Sequence, residues 1–307
     1  MHTHTQKPNQ SIEVTCRPAN KNDRSSMEEI TRFIWDGEDY VPHVWEDWLD
    51  DPVGLLAVAE HDKRVLGFGK LTQLTERDWW MEGLRVNPDF QSRGIASQLH
   101  DYLLEFWEKH GQGTIRLATS SERIQVHRLC QRTGFQHIGE TSLYKSPTIH
   151  EKISDFKKAT PDHAQEILAW IRESEMLRLN YGLMDLGWQW THPSLQLVES
   201  AIKDGCAFWW TMGHQERDGL VLIWKEEYQE LSNIDERIAM IKLITTDLSK
   251  LKSCLNDFQC LASHLGYTNV GWLAPHQPEI LTILADAGFK SEWDGSLYIF
   301  AKEHPQA

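Results

Sequence analysis

The sequence predicts two copies of a mixed α/β domain, each built as a mostly antiparallel mixed sheet flanked by helices. Three observations lead to this prediction. The chain has 307 residues, which is too long for one ordinary hydrophobic core and suits two domains. Apolar residues switch between strand-like and helix-like spacing along the chain. Three stretches of the first half recur, in the same order, in the second half.

The recurring stretches are an opening strand that leads into a helix, a central hairpin, and a helix that ends at Gly-Phe before a final strand. The paired ranges are 14–19 with 155–161, 54–70 with 206–224, and 126–144 with 280–298. Chance rarely produces three such matches in one order. We therefore expect a disordered tail over residues 1–11, a first domain over 12–148 and a second domain over 153–307.

Composition and charge exclude several classes of protein. Hydrophobic residues make up 40% and charged residues 25%, which is ordinary for a globular chain. The formal charge of −14 disfavours nucleic acid as a partner. No stretch approaches 18 uncharged apolar residues, so no membrane span is expected, and residues 1–10 lack the apolar core of a secretory signal. Five scattered cysteines indicate reduced thiols and a cytoplasmic protein without a metal site.

The segment 80–99 carries the clearest chemical signal. An apolar strand ends at Val86, the next two residues, Asn-Pro, make a turn, and a helix with an apolar stripe begins near Gly94. Glycine there lets the backbone approach a ligand, while the free N–H groups of the first helical turn face outward at the positive end of the helix dipole. This arrangement suits a pyrophosphate, and Arg93 adds a cation. The alternative is a plain junction between a strand and a helix.

The helix start, Gln91-Ser92-Arg93-Gly94-Ile95-Ala96, resembles the Gln/Arg-x-x-Gly-x-Gly/Ala signature of the GNAT (Gcn5-related N-acetyltransferase) superfamily. The resemblance covers roughly Ile12 to Lys145 and includes the helix that closes at Gly-Phe. It implies tandem GNAT-like domains with acetyl-CoA as the co-substrate. It also implies that an acceptor amine attacks the thioester directly, without an acyl-enzyme.

The same resemblance implies which residues hold acetyl-CoA. The backbone of Leu84, Arg85 and Val86 is expected to pair with the pantetheine arm. The backbone amides expected to hold the pyrophosphate belong to Gln91, Ser92, Arg93, Gly94, Ile95, Ala96 and Ser97. A narrower similarity is to the histidine N-acetyltransferase-type branch, with a degenerate second domain behind the first. The residues that carry it are Tyr40-Val41-Pro42, Trp45, Trp48-Leu49 and Glu82 to Val86.

A base is expected beside the thioester, because an attacking ammonium must lose a proton near neutral pH. Glu82 lies two and four residues before Leu84 and Val86 on one strand, so alternation places all three side chains on one face. Many GNAT enzymes have a glutamate here that is assigned as the base. The alternative is a solvated or salt-bridged strand glutamate.

The proton donor to the leaving thiolate departs from the family pattern. Four residues before the closing Gly-Phe, where the family often has a tyrosine, stands Cys130. A thiol can donate a proton, but a buried structural cysteine is the alternative. Tyr144 is a substitute candidate, and Arg123 replaces a frequent asparagine in the preceding loop. The reaction also proceeds without an acid if the thiolate takes its proton from water.

The acceptor amine is expected to enter along residues 36–51. This segment holds seven carboxylates and no lysine or arginine, and aromatic residues are interleaved with them. The candidate contacts are Trp35, Tyr40, His43 and Trp45, since carboxylates and aromatic rings attract a cationic amine. The alternative is an amphipathic helix with its aromatic side chains inward and its acids in solvent.

The second copy is expected to lack the cofactor site. Its corresponding stretch, 241–260, contains no glycine, so a pyrophosphate could not approach a helix start there. We therefore predict an N-acetyltransferase for a small amine or an amino acid, with a degenerate second domain. The alternatives are a protein N-terminal or lysine acetyltransferase and a non-catalytic CoA-binding sensor.

Overall fold

The computed structural model describes residues 11–150, 153–213, 216–224 and 236–305. The tail expected over 1–11 lies outside the described residues except for Ser11. Contacts divide the chain into two compact units. Unit 1 comprises Met1–Leu117, Gln125–Gln136 and Ala301–Ala307, and unit 2 comprises Ala118–Ile124 and His137–Phe300.

Unit 1 contains a sheet in which the first four strands are antiparallel and the fifth is parallel to the fourth. The elements lying wholly or mainly in this unit are β1 (Thr15–Pro18), α1 (Arg24–Thr31), α2 (Val41–Asp50), β2 (Leu55–His61), β3 (Arg64–Gln73), β4 (Asp78–Val86), α3 (Ile95–His110), β5 (Thr114–Ser120) and α4 (Ile124–Arg132). The strand order is β1-β2-β3-β4-β5.

Unit 2 repeats this succession of pairings in the order β7-β10-β11-β12-β13, again with the last pair parallel. Its elements are β6 (Gln136–Pro147), β7 (Phe156–Lys158), α5 (Ala164–Glu173), α6 (Glu175–Leu179), β8 (Met184–Asp185), β9 (Trp190–Thr191), α7 (Leu195–Lys203), β10 (Ala207–Trp210), β11 (Gly219–Ile223), β12 (Ile238–Thr246), α8 (Leu251–His264), β13 (Asn269–Pro275), α9 (Pro278–Asp286), β14 (Lys290–Ser291) and β15 (Leu297–Glu303). The predicted mixed, mostly antiparallel α/β fold is therefore confirmed.

The compact units do not follow the expected boundaries of 12–148 and 153–307. β6 was expected to close the first domain, but it pairs antiparallel with β13 over seven residues and lies in unit 2. The residues from Ala301 onward lie in unit 1, where His304 donates its backbone N–H to Gly113. The long-range contacts of β6 and of the end of β15 decide where the two units divide. A repeat in the sequence gives no information on such contacts.

Different helices cover the two faces of the unit 1 sheet. On one face, α1 and α2 bury Met27, Ile30 and Trp45 in a cluster with Phe68 of β3. On the other face, Leu103 of α3 packs beside the backbone of β3. Burial of these apolar side chains holds both layers on the sheet. The expected cofactor loop joins β4 to α3, and the expected acceptor segment, residues 36–51, comprises the end of the connection after α1 and α2 itself.

A neutral histidine is buried within α3. His100 is 1% exposed, and its Nε2 lies 3.0 Å from the Thr133 hydroxyl. Burial lowers the pKa of His100 to about 4, because the charged imidazolium would lose its hydration. As the pH falls, His100 is therefore protonated at a higher pH in the unfolded chain than in the folded protein.

We expect His100 to make the stability of the protein depend on pH. Its contribution is fully present above the ordinary histidine pKa and is lost as the pH falls toward the folded value. Between about pH 7.5 and about pH 5 this amounts to about 2 kcal/mol of unfolding free energy. His100→Gln keeps a polar group near Thr133 but does not titrate. Urea unfolding at both pH values should show a smaller loss for the variant, and equal losses would contradict the assignment.

Among the described residues, no helix combines the length and apolar character needed to cross a bilayer.

Candidate functional site

The turn that follows β4 is fixed by local hydrogen bonds. Asn87 is 5% exposed, its backbone N–H donates to Leu66, and its side-chain oxygen accepts from the Asp89 N–H at 3.0 Å. Arg93 donates to the Asp89 carbonyl at 3.3 Å and lies over the ring of Phe90. These contacts carry the chain from the strand to the start of α3.

Gly94 is the N-cap of α3, and its backbone has φ +82° and ψ 0°. A side chain there would be strained, and glycine adopts this conformation without a steric penalty. A Cβ built on Gly94 would lie 3.4 Å from the Ser11 hydroxyl and 3.9 Å from Gln98 Nε2, which are ordinary contact distances, so the positive φ rather than a lack of space calls for glycine here. The first-turn amides of Ile95, Ala96 and Ser97 have no partner within the helix.

Residues that precede β1 form hydrogen bonds with the start of α3. Ile12 donates its N–H to the Arg93 carbonyl at 3.0 Å. The Gln98 side chain donates to the Ile12 carbonyl at 2.7 Å and accepts from the Val14 N–H at 3.1 Å. Gln98 was not predicted to have this role, and no local sequence signal reports a contact across 84 residues.

β4 is distorted where the sequence places its chemistry. Lys70 pairs with Glu82 and Phe68 pairs with Arg85, so three steps along β4 match two along β3. This extra residue is a β-bulge. The parallel ladder of β4 with β5 covers only Asp78–Trp80, although β4 continues to Val86. β4 therefore leaves its parallel neighbour part-way along its length.

The bulge corrects the prediction that Glu82, Leu84 and Val86 share one face. Paired residues of neighbouring strands point the same way, so Glu82 and Arg85 lie on the face of Lys70 and Phe68. Val86 pairs with Gly67 and lies on the α3 face, and the Leu84 side chain also lies there, beside the Cα of Gly69. Alternation failed because one inserted residue reverses the direction of every side chain beyond it.

Gly83 makes room for an aromatic ring inside this bulge. Its φ is +64°, and a Cβ built on it would lie 2.5 Å from the Trp48 ring. The same indole packs edge-on against Tyr40 with 6.0 Å between ring centroids. A larger residue at position 83 would displace Trp48. The bulge therefore packs directly against the aromatic residues Trp48 and Tyr40 of the expected acceptor segment.

Glu82 belongs to a polar network on the α1–α2 face. The Thr72 hydroxyl donates to its carboxylate at 2.8 Å. Lys70, directly opposite on β3, is 1% exposed and donates to Asp51 and to the Leu71 carbonyl. Burial lowers the pKa of Lys70, and the carboxylates of Asp51 and Glu82 oppose that effect. The network was not predicted, although a lysine within an apolar strand was a visible signal.

Arg85 forms the second polar group on this face. Its Nε donates to Asp39 at 2.8 Å, and the carboxylate of Asp39 is almost fully buried. The guanidinium lies 4.8 Å from the ring centroid of Trp35 and 5.8 Å from that of Tyr40. Burial, with Glu82 adding to it, raises the pKa of Tyr40 well above its ordinary value. Tyr40 is therefore a neutral phenol, and its pKa depends in part on the charge of Glu82.

The predicted acceptor residues divide into two groups. Trp35 is 52% exposed and stacks on Tyr40, and the helix residue His43 is also exposed. Trp45 is 0% exposed and packs edge-on against Phe68. Its ring has no surface to offer a substrate, so for Trp45 the packing alternative replaces the predicted contact. It fills the core because its position on α2 faces the sheet.

The two candidate acids lie in different units. Cys130 in unit 1 is 0% exposed, and burial raises the pKa of its thiol to about 12. Proton transfer from such a thiol to a thiolate with an ordinary pKa of about 8.5 is uphill, which favours a structural role. Tyr144 lies on β6 in unit 2, packs against the core of that unit, and has a pKa raised by burial. The role of Tyr144 as a proton donor stays a prediction.

The region of unit 2 that corresponds to this site has different residues at the bulge and at the helix start. The pairing of β11 with β12 has a bulge at Lys242. Burial lowers the pKa of Lys242, while burial raises that of the fully buried Asp185 nearby to about 7. The helix that follows, α8, begins after Lys250, which has φ −100°. Neither a glycine at the start of this helix nor a glycine in the bulge is repeated in unit 2.

A statistical model of the acetyltransferase (GNAT) family matches residues 24–135, which include the bulged strand, the loop and α3. Residues 24–135 therefore form a domain of the GNAT superfamily. Among curated relatives, the N-acetylaspartate synthetases of rat and human are each 30% identical over 102 residues, or 33% of this chain. An uncharacterised N-acetyltransferase of Mycobacterium bovis is 26% identical over 34% of this chain and 67% of its own length. The chain spans about a third of the length of the two synthetases.

Solved GNAT structures extend the likeness to nearly the whole chain. A GCN5-related N-acetyltransferase from Sphaerobacter thermophilus aligns with a TM-score of 0.63 at 12% identity, covering 94% of this chain and 95% of its own. A tandem GNAT protein from the clavulanic acid biosynthesis pathway aligns with a TM-score of 0.56 at 13% identity, covering 95% and 98%. These likenesses show the fold. The histidine branch and the degenerate second domain stay predictions.

The residues present fit acetyl-CoA. The N-cap glycine adds no side chain to the start of α3, where the first-turn amides lack partners within the helix and can hold an anion such as a pyrophosphate. Among the residues that the structure describes, no group of three histidine, cysteine, aspartate or glutamate side chains is placed to hold a metal ion.

Proposed function

We propose that this GNAT protein transfers the acetyl group of acetyl-CoA to the primary amine of a small molecule or amino acid. The observation that carries the proposal is the bulged strand β4, which is followed by a turn and a helix whose N-cap is a glycine with φ +82°. The family match and the names of the relatives, which include N-acetylaspartate synthetases, support it. None of the five cysteines, all of which lie among the described residues, forms a disulfide, which suits the proposed cytoplasmic location.

The cofactor side of the proposed site uses backbone rather than side chains. The first-turn amides of α3 would hold the pyrophosphate, with the helix dipole adding to their attraction. Beyond Trp80 the ladder to β5 ends, so the backbone of Leu84 to Val86 would pair with the amides of the pantetheine arm. Acetyl-CoA supplies the activated thioester carbonyl.

The acceptor side requires a proton to leave the amine. Glu82 lies on the α1–α2 face and would take that proton, directly or through one water. The freed nitrogen then attacks the thioester carbonyl carbon, so a C–N bond forms and the C–S bond breaks. The CoA thiolate takes a proton from solvent. Thr72 holds the carboxylate of Glu82 in place, and Lys70 balances its charge from the opposite strand.

A thiol-release assay tests the proposal. Acetyl-CoA is supplied with free amino acids including histidine and aspartate, amino-acid amides, polyamines, aminoglycosides or basic peptides. We expect thiol release only when a suitable small amine is present. Basic peptides outcompeting all small amines would favour a protein acetyltransferase. Tight binding of acetyl-CoA with no release for any amine would contradict catalysis and favour a sensor.

A further inference from the structure

We propose that Arg85 binds a carboxylate of the acceptor, which makes α-amino acids, rather than simple amines, the preferred substrates. This inference rests on the proposed function and adds a second recognition group to the acceptor site. Glu82 takes the ammonium of the substrate, and Arg85 takes its carboxylate. The ammonium and the carboxylate of one substrate would each face a side chain of opposite charge on the same face of β4.

The bulge creates this arrangement. Without the extra residue, side chains three positions apart on a strand point to opposite faces. The register instead pairs Glu82 with Lys70 and Arg85 with Phe68, so the base and the arginine point the same way. The guanidinium of Arg85 lies 5.8 Å from the ring centroid of Tyr40, and the charge of Glu82 adds to the burial that raises the pKa of Tyr40. The two charged groups therefore border one aromatic surface.

Asp39 orients Arg85 without using all of its donors. The carboxylate of Asp39 is 1% exposed, and it accepts from Nε at 2.8 Å and from Nη2 at 3.4 Å. Among the described residues, the guanidinium donates one further hydrogen bond, from Nη1 to the Leu84 carbonyl at 3.4 Å. A guanidinium has five N–H groups in a fixed fork, so donors on Nη1 and Nη2 stay available to a second carboxylate.

The backbone of the acceptor segment holds an aromatic cover over the guanidinium. Trp35, Asp36 and Gly37 are three successive residues with φ between 49° and 94°. Such strain at non-glycine residues persists where the surroundings hold it, and it is concentrated at functional sites. Its result is that the Trp35 ring lies over Arg85 while remaining half exposed. A planar carboxylate on Arg85 would lie beside this ring.

The charges on this face also disfavour a diamine. Asp39 pairs with Arg85, and Asp51 pairs with Lys70. On the proposed function Glu82 receives one ammonium, and a second cationic group of the acceptor would lie close to the guanidinium of Arg85. Repulsion between like charges in a partly buried site is costly. A zwitterionic acceptor satisfies both charged groups.

The test compares acceptors that differ in a single group, an L-amino acid and its carboxamide, by thiol release. The ratio of kcat/KM is taken on the plateau of each pH profile, because amidation lowers the pKa of the amine. We expect wild-type protein to favour the acid by about 10²-fold, as for a charge-assisted hydrogen-bonded pair. Arg85→Gln should bring the ratio close to one, mainly through KM for the acid, and Arg85→Lys should restore part of it.

Arg116→Gln is the matched control, because Arg116 forms a buried ion pair with Asp78 at 2.5 Å elsewhere in unit 1. It should cost stability without changing the ratio. If wild-type protein uses acid and amide equally well, the inference is wrong while the proposed function stands. If no amine releases thiol, the proposed function itself fails. If Arg85→Gln does not fold, the wild-type ratio and Arg85→Lys decide.

Discussion

Glu82→Gln should lower kcat/KM for the acceptor at neutral pH by about 10²-fold, the lower end of the effect of a general base. Glutamine has almost the same volume and still accepts the hydrogen bond that Thr72 donates to Glu82. It cannot take a proton from an ammonium. The variant therefore removes the proposed chemistry and leaves the packing around the bulge in place.

The pH dependence distinguishes a base from a structural carboxylate. The acidic limb of the wild-type profile should reflect protonation of Glu82, and this limb should disappear in the glutamine variant. Glu76→Gln is the control, because Glu76 is an exposed carboxylate in the turn before β4. Calorimetric titration with CoA checks that the variant retains its cofactor site. An unchanged pH–rate profile would remove Glu82 from the role.

Gly94→Val should weaken CoA binding by about 10²-fold, which corresponds to losing one or two charge-assisted hydrogen bonds. A β-branched residue is strained at φ +82°, so the amides at the start of α3 would reorient. Its side chain would also crowd Ser11 and Gln98 at the start of α3, beside the proposed pyrophosphate site. Both effects act on binding, and isothermal titration with CoA measures it directly.

Gly288→Val is the matched control, because Gly288 also has φ +82° but lies in unit 2, where a Cβ would stand 3.6 Å from the Ser146 hydroxyl. It should carry a similar strain in the backbone and leave CoA binding intact. Wild-type protein should bind one CoA per chain. Two sites per chain would overturn the prediction that unit 2 lacks a cofactor site, and undiminished binding by Gly94→Val would remove the glycine loop from its role.

Local signals in the sequence predicted the turn and the helix start on which the proposed cofactor site depends. A helix start is set by the few residues around it, so the junction of β4, the turn and Gly94 could be placed before any tertiary contact was considered. The repeat likewise predicted two similar successions of strands. It did not predict that β6 lies in unit 2, because the choice of partner for an end strand depends on residues more than 120 positions away, such as the pairing of Ser146 with Val270.

The acceptor side could not be predicted in the same way. Alternation placed Glu82 with Leu84 and Val86, but one extra residue in β4 reversed that assignment. Trp35 and Trp45 look alike in the sequence, but the packing of α2 on the sheet distinguishes them. Trp45 lies in the core, and Trp35 lies at the surface. The ion pairs of Asp39 with Arg85 and of Asp51 with Lys70 join residues 46 and 19 positions apart.

The sequence by itself determined the fold class, the GNAT signature and the glycine at the start of α3, because each of these depends on neighbouring residues and on the spacing of apolar positions. Only the tertiary structure decided which side chains share a face of β4 and which of the acceptor aromatics remain exposed. A bulge and a buried ion pair arise from the packing of one strand or helix on another. Neither changes the local composition of the segment in which it occurs.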